Sequence, residues 1–144
     1  MLTVGSSEAI PEVVIAVDPG RGKCGLAAVD SAGRVMEKAI VPAGEIAEAV
    51  ARLLEAHPEA RVVLGDRTGA GEIGAMLTAR CRVSPALVEE HHSTLEGRRR
   101  YFEENPPRGW RRLLPLGLQT PPRPYDDYVA IVLAERYLKS LDPR

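Results

Sequence analysis

A strand that ends on a carboxylate and turns at once into a second strand limits this chain more than any other feature. The run is Val13-Val14-Ile15-Ala16-Val17-Asp18-Pro19-Gly20-Arg21-Gly22-Lys23-Cys24-Gly25-Leu26-Ala27-Ala28-Val29-Asp30. Val13–Val17 is a continuous apolar run, the pattern of a buried central strand. Asp18 ends it on rigid backbone. The Gly-rich loop that follows has backbone N–H groups able to approach an anion, and it carries Arg21 and Lys23. An acid to hold a metal and a cationic, closely approaching backbone are the two parts that chemistry on phosphates needs. Asp-Pro-Gly is also ordinary turn chemistry, so a plain hairpin explains the same residues.

The rest of the chain fits a sheet around that hairpin. Gly25–Val29 reads as the second strand, Asp30-Ser31-Ala32-Gly33 as a turn, and Arg34–Val41 as a third strand. Short links between three successive strands imply an antiparallel meander. A helix over Glu45–His57 follows, with Ile46, Val50, Leu53 and Leu54 on one face and Pro58 ending it. Arg61–Gly65 is a short strand leading to Asp66, and Glu72–Arg80 a short helix. Ala86–Glu89 is a fifth strand. Ser93 and Glu96 have capping-box spacing, which starts a helix at Ser93 that runs to about Glu104. Asn105–Arg123 holds five prolines and breaks regular structure; a loop this long is functional or disordered. Asp126–Leu141 is the last helix, with Val129, Val132, Leu133 and Tyr137 facing inward. The expectation is one α/β domain over residues 12–144 with a loose leader over 1–11. Its mixed five-stranded sheet has three antiparallel strands followed by parallel ones, flanked by helices.

Composition narrows the function classes. At 44% apolar and 27% charged, 144 residues form one globular domain. A net charge of −1 means that any basic surface is local. No run approaches the ~18 apolar residues of a membrane helix. Met1 to Glu8 lacks the regions of a secretory signal. Cys24 and Cys81 form no paired framework, which suits a reducing cytoplasm.

Acids recur at the ends of elements: Asp18, Asp66, Glu89 with Glu90, and Asp126 with Asp127. Parallel strands gather their C-terminal ends on one rim, where such folds place sites. Three carboxylates meeting there repel one another unless a cation is present. Oxygen donors without a His/Cys cage suit Mg²⁺ or Mn²⁺, and two such ions about 4 Å apart can drive phosphodiester hydrolysis. Each acid also has a plainer role. Asp66 can pair with Arg67 or cap a turn. Strand alternation sends Glu89 and Glu90 to opposite faces, so at most one faces the rim. His91 and His92 suit loop bonding or proton relay better than metal ligation. From His91 to Arg123 there are seven Arg and three Glu. Arg98 and Arg99 with Arg111, Arg112 and Trp110 suit gripping phosphates and stacking a base. The plain alternatives are a solvated helix face and a tryptophan plugged into the core.

Three segments together resemble one family. Asp18-Pro19-Gly20-Arg21-Gly22-Lys23-Cys24-Gly25-Leu26-Ala27 is similar to the opening motif of the YqgF (RuvX) proteins, RNase H-like relatives of the RuvC Holliday-junction resolvases. Val88-Glu89-Glu90-His91-His92-Ser93-Thr94 stands where that family has D-E-R-x-[ST]-T, and the helix from Asp126 resembles its last one. The resemblance runs from Val13 over nearly the whole chain. It implies that Asp18, Glu90 and Asp126 ligate metal, with Glu89 beside the middle acid and Asp127 a fourth carboxylate or an alternate to Asp126. It also implies an RNase H-like fold and a cytoplasmic metal-dependent endonuclease acting on Holliday-junction DNA or precursor ribosomal RNA. A second copy of the chain as partner is left open. Two departures stand out: Leu64-Gly65-Asp66-Arg67 replaces the family's Gly-Leu-Pro, and the Pro/Arg-rich stretch is long. A non-catalytic nucleic-acid-binding protein of the same fold is the alternative. An actin-like phosphate loop at Asp18-x-Gly20 would need a second domain, for which 144 residues leave no room.

Overall fold

The computed structural model describes residues 10–141. The leader expected over 1–11 therefore lies outside the described residues except at Ile10 and Pro11. The elements follow in the order β1 (Val13–Asp18), β2 (Lys23–Asp30), β3 (Val35–Pro42), α1 (Ile46–Ala56), β4 (Arg61–Gly65), α2 (Ala70–Cys81), β5 (Ala86–Val88), α3 (Ser93–Glu104) and α4 (Asp126–Leu141). The sheet runs β3-β2-β1-β4-β5. β1 pairs antiparallel with β2, and β2 with β3. β1 pairs parallel with β4, and β4 with β5. This is the expected mixed sheet, with β1 at its centre.

The period of two along each strand divides the core into two layers. Val13, Ile15 and Val17 of β1, with Cys24, Leu26 and Ala28 of β2 and Val62 and Leu64 of β4, pack against α1 and α2. Val14, Ala16, Ala27, Val29, Val63 and Val88 face the other way, onto α3 and α4. Burying a Val, Leu or Ile side chain contributes about 1.5–3 kcal/mol, so both faces of β1 are committed. A one-residue slip would exchange its faces, and two filled layers forbid that.

Two local expectations need correction. Ser93 is not the cap of α3. The cap position is His92, which takes a left-handed conformation (φ 62°) and makes no side-chain capping bond. The Ser93 N–H donates to the Glu90 carbonyl at 2.8 Å, closing a turn between β5 and α3, and Ser93 is fully buried. Glu96 does not reach back to complete a capping box; both its oxygens lie 3.0 Å from Arg136 Nη2 on α4. A charged partner across the helix pair outcompetes the local bond.

The proline-rich segment is not shapeless either. It folds into two 3₁₀ turns, Gly109–Leu113 and Leu116–Leu118. Gln119, buried beneath them, donates through Nε2 to the carbonyls of Arg111 at 2.9 Å and Leu114 at 3.0 Å. The segment's far end is pinned by Arg123, which lies over the rings of Tyr101 and Tyr128 and meets Asp127 at 3.3 Å.

Candidate active site: a carboxylate rim beside a cationic segment

Strand parity decides which acids meet. Asp18 continues the Val14, Ala16 face of β1, toward α4. Its cross-strand partner is Gly25. A Cβ at Gly25 would stand 1.9 Å from the carbonyl oxygen of Asp126. The start of α4 therefore lies directly on this glycine, and Asp126 is delivered beside Asp18. Glu90 continues the Val88 face past the end of β5. It lies over Gly65, the last residue of β4, where a Cβ would stand 2.4 Å from Glu90 Cδ. Two glycines on one face of the sheet thus make the space that the acids fill.

Glu90 is 1% exposed and held from both sides. Its Oε2 accepts the Arg67 N–H at 2.8 Å, and its own N–H donates to Asp66 Oδ1 at 3.1 Å. Asp18 and Glu90 line the same cavity, close enough for each carboxyl to act on the other. Burial raises the Asp18 carboxyl most, the neighbouring Glu90 carboxyl and the charge of Asp126 add to it, and Arg67 opposes them. The result is a pKa of about 9. At neutral pH the Asp18 carboxyl therefore holds its proton. Asp126 is engaged differently: Lys23 Nζ lies 3.2 Å from its Oδ1 and 3.1 Å from its Oδ2.

The remaining candidate residues fall into three groups. Asp127 does not join the rim; it is buried against Lys38 at 3.5 Å and Arg123. One residue along a helix turns a side chain by about 100°, which separates Asp126 from Asp127. Asp66 holds the Glu90 backbone and does not line the cavity that Asp18 and Glu90 share. Glu89 turns outward, and its carbonyl accepts from Arg136 at 2.7 Å. His91 and His92 are exposed, with rings 3.8 Å apart. Arg21 and Arg67 border a cavity of about 450 Å³ that Asp18, Gly20 and Glu90 also line. Arg98 reaches the Gln119 carbonyl at 3.4 Å, which ties α3 to the proline-rich segment. Arg99 borders a separate cavity beside β5 with His91, His92 and Arg136. Arg111 and Arg112 are exposed, and Trp110 is 69% exposed, so the tryptophan is not a plug. Leu113 (83%) and Leu118 (78%) are exposed beside it.

Sequence reasoning missed the part played by Gly25 and Gly65, the Lys23–Asp126 pair and the Arg67 N–H. The glycines had a readable signal: each lies on the α4 face of its strand, in register with or next to an acid. The Lys23 pair spans 103 positions and had none.

As hard oxygen donors side by side at one rim, Asp18 and Glu90 are the residues that could hold a divalent cation. Asp126 stands at the same rim, acting on Asp18 by charge and paired with Lys23. Among the described residues no group of three or more His, Cys, Asp or Glu side chains is placed to hold a metal ion.

No protein-family model matches the sequence, and no curated protein matches it. Solved structures do share the fold. The Thermus thermophilus RuvC structure superposes with a TM-score of 0.54 at 15% identity, covering 90% of this chain and 93% of that one. The T. thermophilus RuvC in complex with Holliday junction substrate gives 0.56 at 17% identity, covering 90% and 92%. The chain therefore has the RNase H-like architecture of RuvC. No helix among the described residues is long and apolar enough to cross a membrane.

Proposed function

We propose that this protein is a divalent-metal-dependent nuclease of structured nucleic acid, of the YqgF kind within the RNase H-like fold. The observation that carries the reading is the Asp18–Glu90 pair: two carboxylates, one fully buried, pressed together at the C-terminal rim of parallel strands. Such a pair is unfavourable for the fold alone and useful to a site that takes up a cation. Asp18 and Glu90 would hold Mg²⁺ or Mn²⁺, which supplies an activated water and charge stabilisation at the phosphorus.

The chain's own groups do the rest. Asp66 and the Arg67 N–H fix Glu90 in place. Arg21, Lys23 and Arg67 offer positive charge beside the cavity for the scissile phosphate. Arg98, Arg99, Arg111, Arg112 and Trp110 bind flanking nucleic acid, the arginines through phosphates and the indole by stacking on an unpaired base. A RuvC neighbour is in complex with a Holliday junction substrate, which favours branched DNA; structured precursor RNA carries the same phosphates. One observation favours a second reading, a binding protein without catalysis: Asp126, the third acid, is occupied by Lys23.

Incubation with a four-way DNA junction and with a precursor rRNA, each with and without Mn²⁺, separates the readings. Cleavage that needs Mn²⁺ and is lost in Asp18→Asn is expected. Binding without cleavage of either substrate would assign the protein to the second reading.

A further inference from the structure

The third acid and the lysine that holds it have a role of their own at this rim. Lys23 opens β2 immediately after the Gly-rich loop, in register with Pro42 of β3. Its ammonium stands almost equally far from the two oxygens of Asp126, at 3.1 and 3.2 Å, as a small cation centred on a carboxylate would. The lysine side chain is 49% exposed and the aspartate 25%. The Asp18–Glu90 pair forms the other half of the rim. Asp126 acts on Asp18 by charge, not by a hydrogen bond.

The charges add up in a particular way. Once a bound cation has displaced the Asp18 proton, three ionised carboxylates carry −3, and Lys23 returns +1. One divalent ion then brings the rim to neutrality, whereas two would leave it at +2 before substrate arrives. An ammonium offers a fixed charge and three N–H donors but no open coordination position. It can neutralise Asp126 and donate to a phosphate oxygen, and it cannot activate water.

We propose that the Lys23 ammonium takes the place of a second metal ion at the rim, so that the site binds one divalent ion, on Asp18 and Glu90, and not two. The proposal rests on the reading of the rim as a metal-dependent nuclease centre. It assigns Lys23 as a residue that sets metal stoichiometry and Asp126 as its anchor rather than as a metal ligand.

Titration with Mn²⁺ alone, read by free-ion electron paramagnetic resonance or calorimetry, tests this on the full chain without substrate. Wild type is expected to bind one ion. Asp18→Asn is expected to lose it. Lys23→Met, at an exposed position where the fold should survive, frees Asp126 and is expected to bind a second ion. Asp126→Asn leaves wild-type stoichiometry at one and shifts its affinity by less than about tenfold, which is 1.4 kcal/mol. This variant keeps the test open should Lys23→Met fail to fold. Two ions bound by wild type, one ion bound by folded Lys23→Met, or an Asp126→Asn affinity loss beyond tenfold would each overturn the proposal while leaving the nuclease reading intact. No Mn²⁺ bound by wild type would overturn both.

Discussion

The acid rim and the segment over residues 105–123 are built by opposite means. At the rim the sheet and the start of α4 place the acids. Parity aims Asp18 and Glu90 at α4, Gly25 and Gly65 clear the space, and both backbone and side chain of Glu90 are tied down. The segment has no buried residue in either 3₁₀ turn. Three polar side chains hold it instead: Gln119 from beneath, Arg98 of α3 through the Gln119 carbonyl, and Arg123 at its far end. The rim therefore keeps its geometry at the level of the whole fold, whereas the segment keeps its shape through a handful of hydrogen bonds and can open locally. Reaction chemistry needs the first kind of support, and adaptable contact with a large polyanion tolerates the second.

Substitutions can break this contrast at either end. Asp18→Asn should have the largest effect, a loss of about a hundredfold or more in cleavage with binding little changed, because the near-isosteric amide removes only the anionic oxygen. The check is a metal-dependent cleavage assay beside a binding assay on the same preparation. Gly65→Ala comes next. Its Cβ would stand 2.4 Å from Glu90 Cδ, so the carboxylate must move. Cleavage should fall about tenfold or more, at an overpacking cost of about 1–3 kcal/mol in thermal melts. A variant that touches no acid but disables the rim would show that the glycine sets the geometry.

Stability against pH sharpens the rim's side of the comparison. Unfolded Asp18 titrates near 3.8 and folded Asp18 near 9. Between those values the folded chain holds a proton that the unfolded chain has lost. In EDTA, stability should therefore fall as pH rises through that window, by at most about 1.4 kcal/mol per unit, and Asp18→Asn should flatten the dependence. Denaturant midpoints across pH 5–9 read it.

At the segment, effects should be smaller and confined to binding. Gln119→Ala leaves the Arg111 and Leu114 carbonyls without their donor, weakening nucleic-acid affinity by roughly 1 kcal/mol with melting hardly moved. Arg111→Ala with Arg112→Ala should flatten the salt dependence of binding by about one slope unit per lost contact. An unchanged slope would return both arginines to the solvated surface.

The contrast also explains what could be read from the sequence. Element order and strand polarity follow from apolar patterning and link lengths, and the sheet obeys them; alternation said only that Glu89 and Glu90 face opposite ways, and the family resemblance, not the pattern, named Glu90. Asp126 and Asp127 differ by one helical step, and apolar spacing does not say which carboxylate overhangs Gly25. The Lys23–Asp126 pair and the Gln119 brace join residues that no local pattern links. Ser93 and Glu96 had the spacing of a capping box, but Arg136, forty positions along, claims the glutamate. Local rules failed where a charged or buried polar group had a distant partner.

The central claim is that the rim does chemistry and the segment only binds. Single-turnover cleavage measured from low to saturating protein concentration tests it most directly, comparing wild type, Asp18→Asn and the Arg111→Ala, Arg112→Ala pair. The account predicts that saturation restores the arginine variant to the wild-type rate and leaves Asp18→Asn inactive. An arginine variant that stays slow at saturation, or an Asp18→Asn protein that recovers, would contradict it.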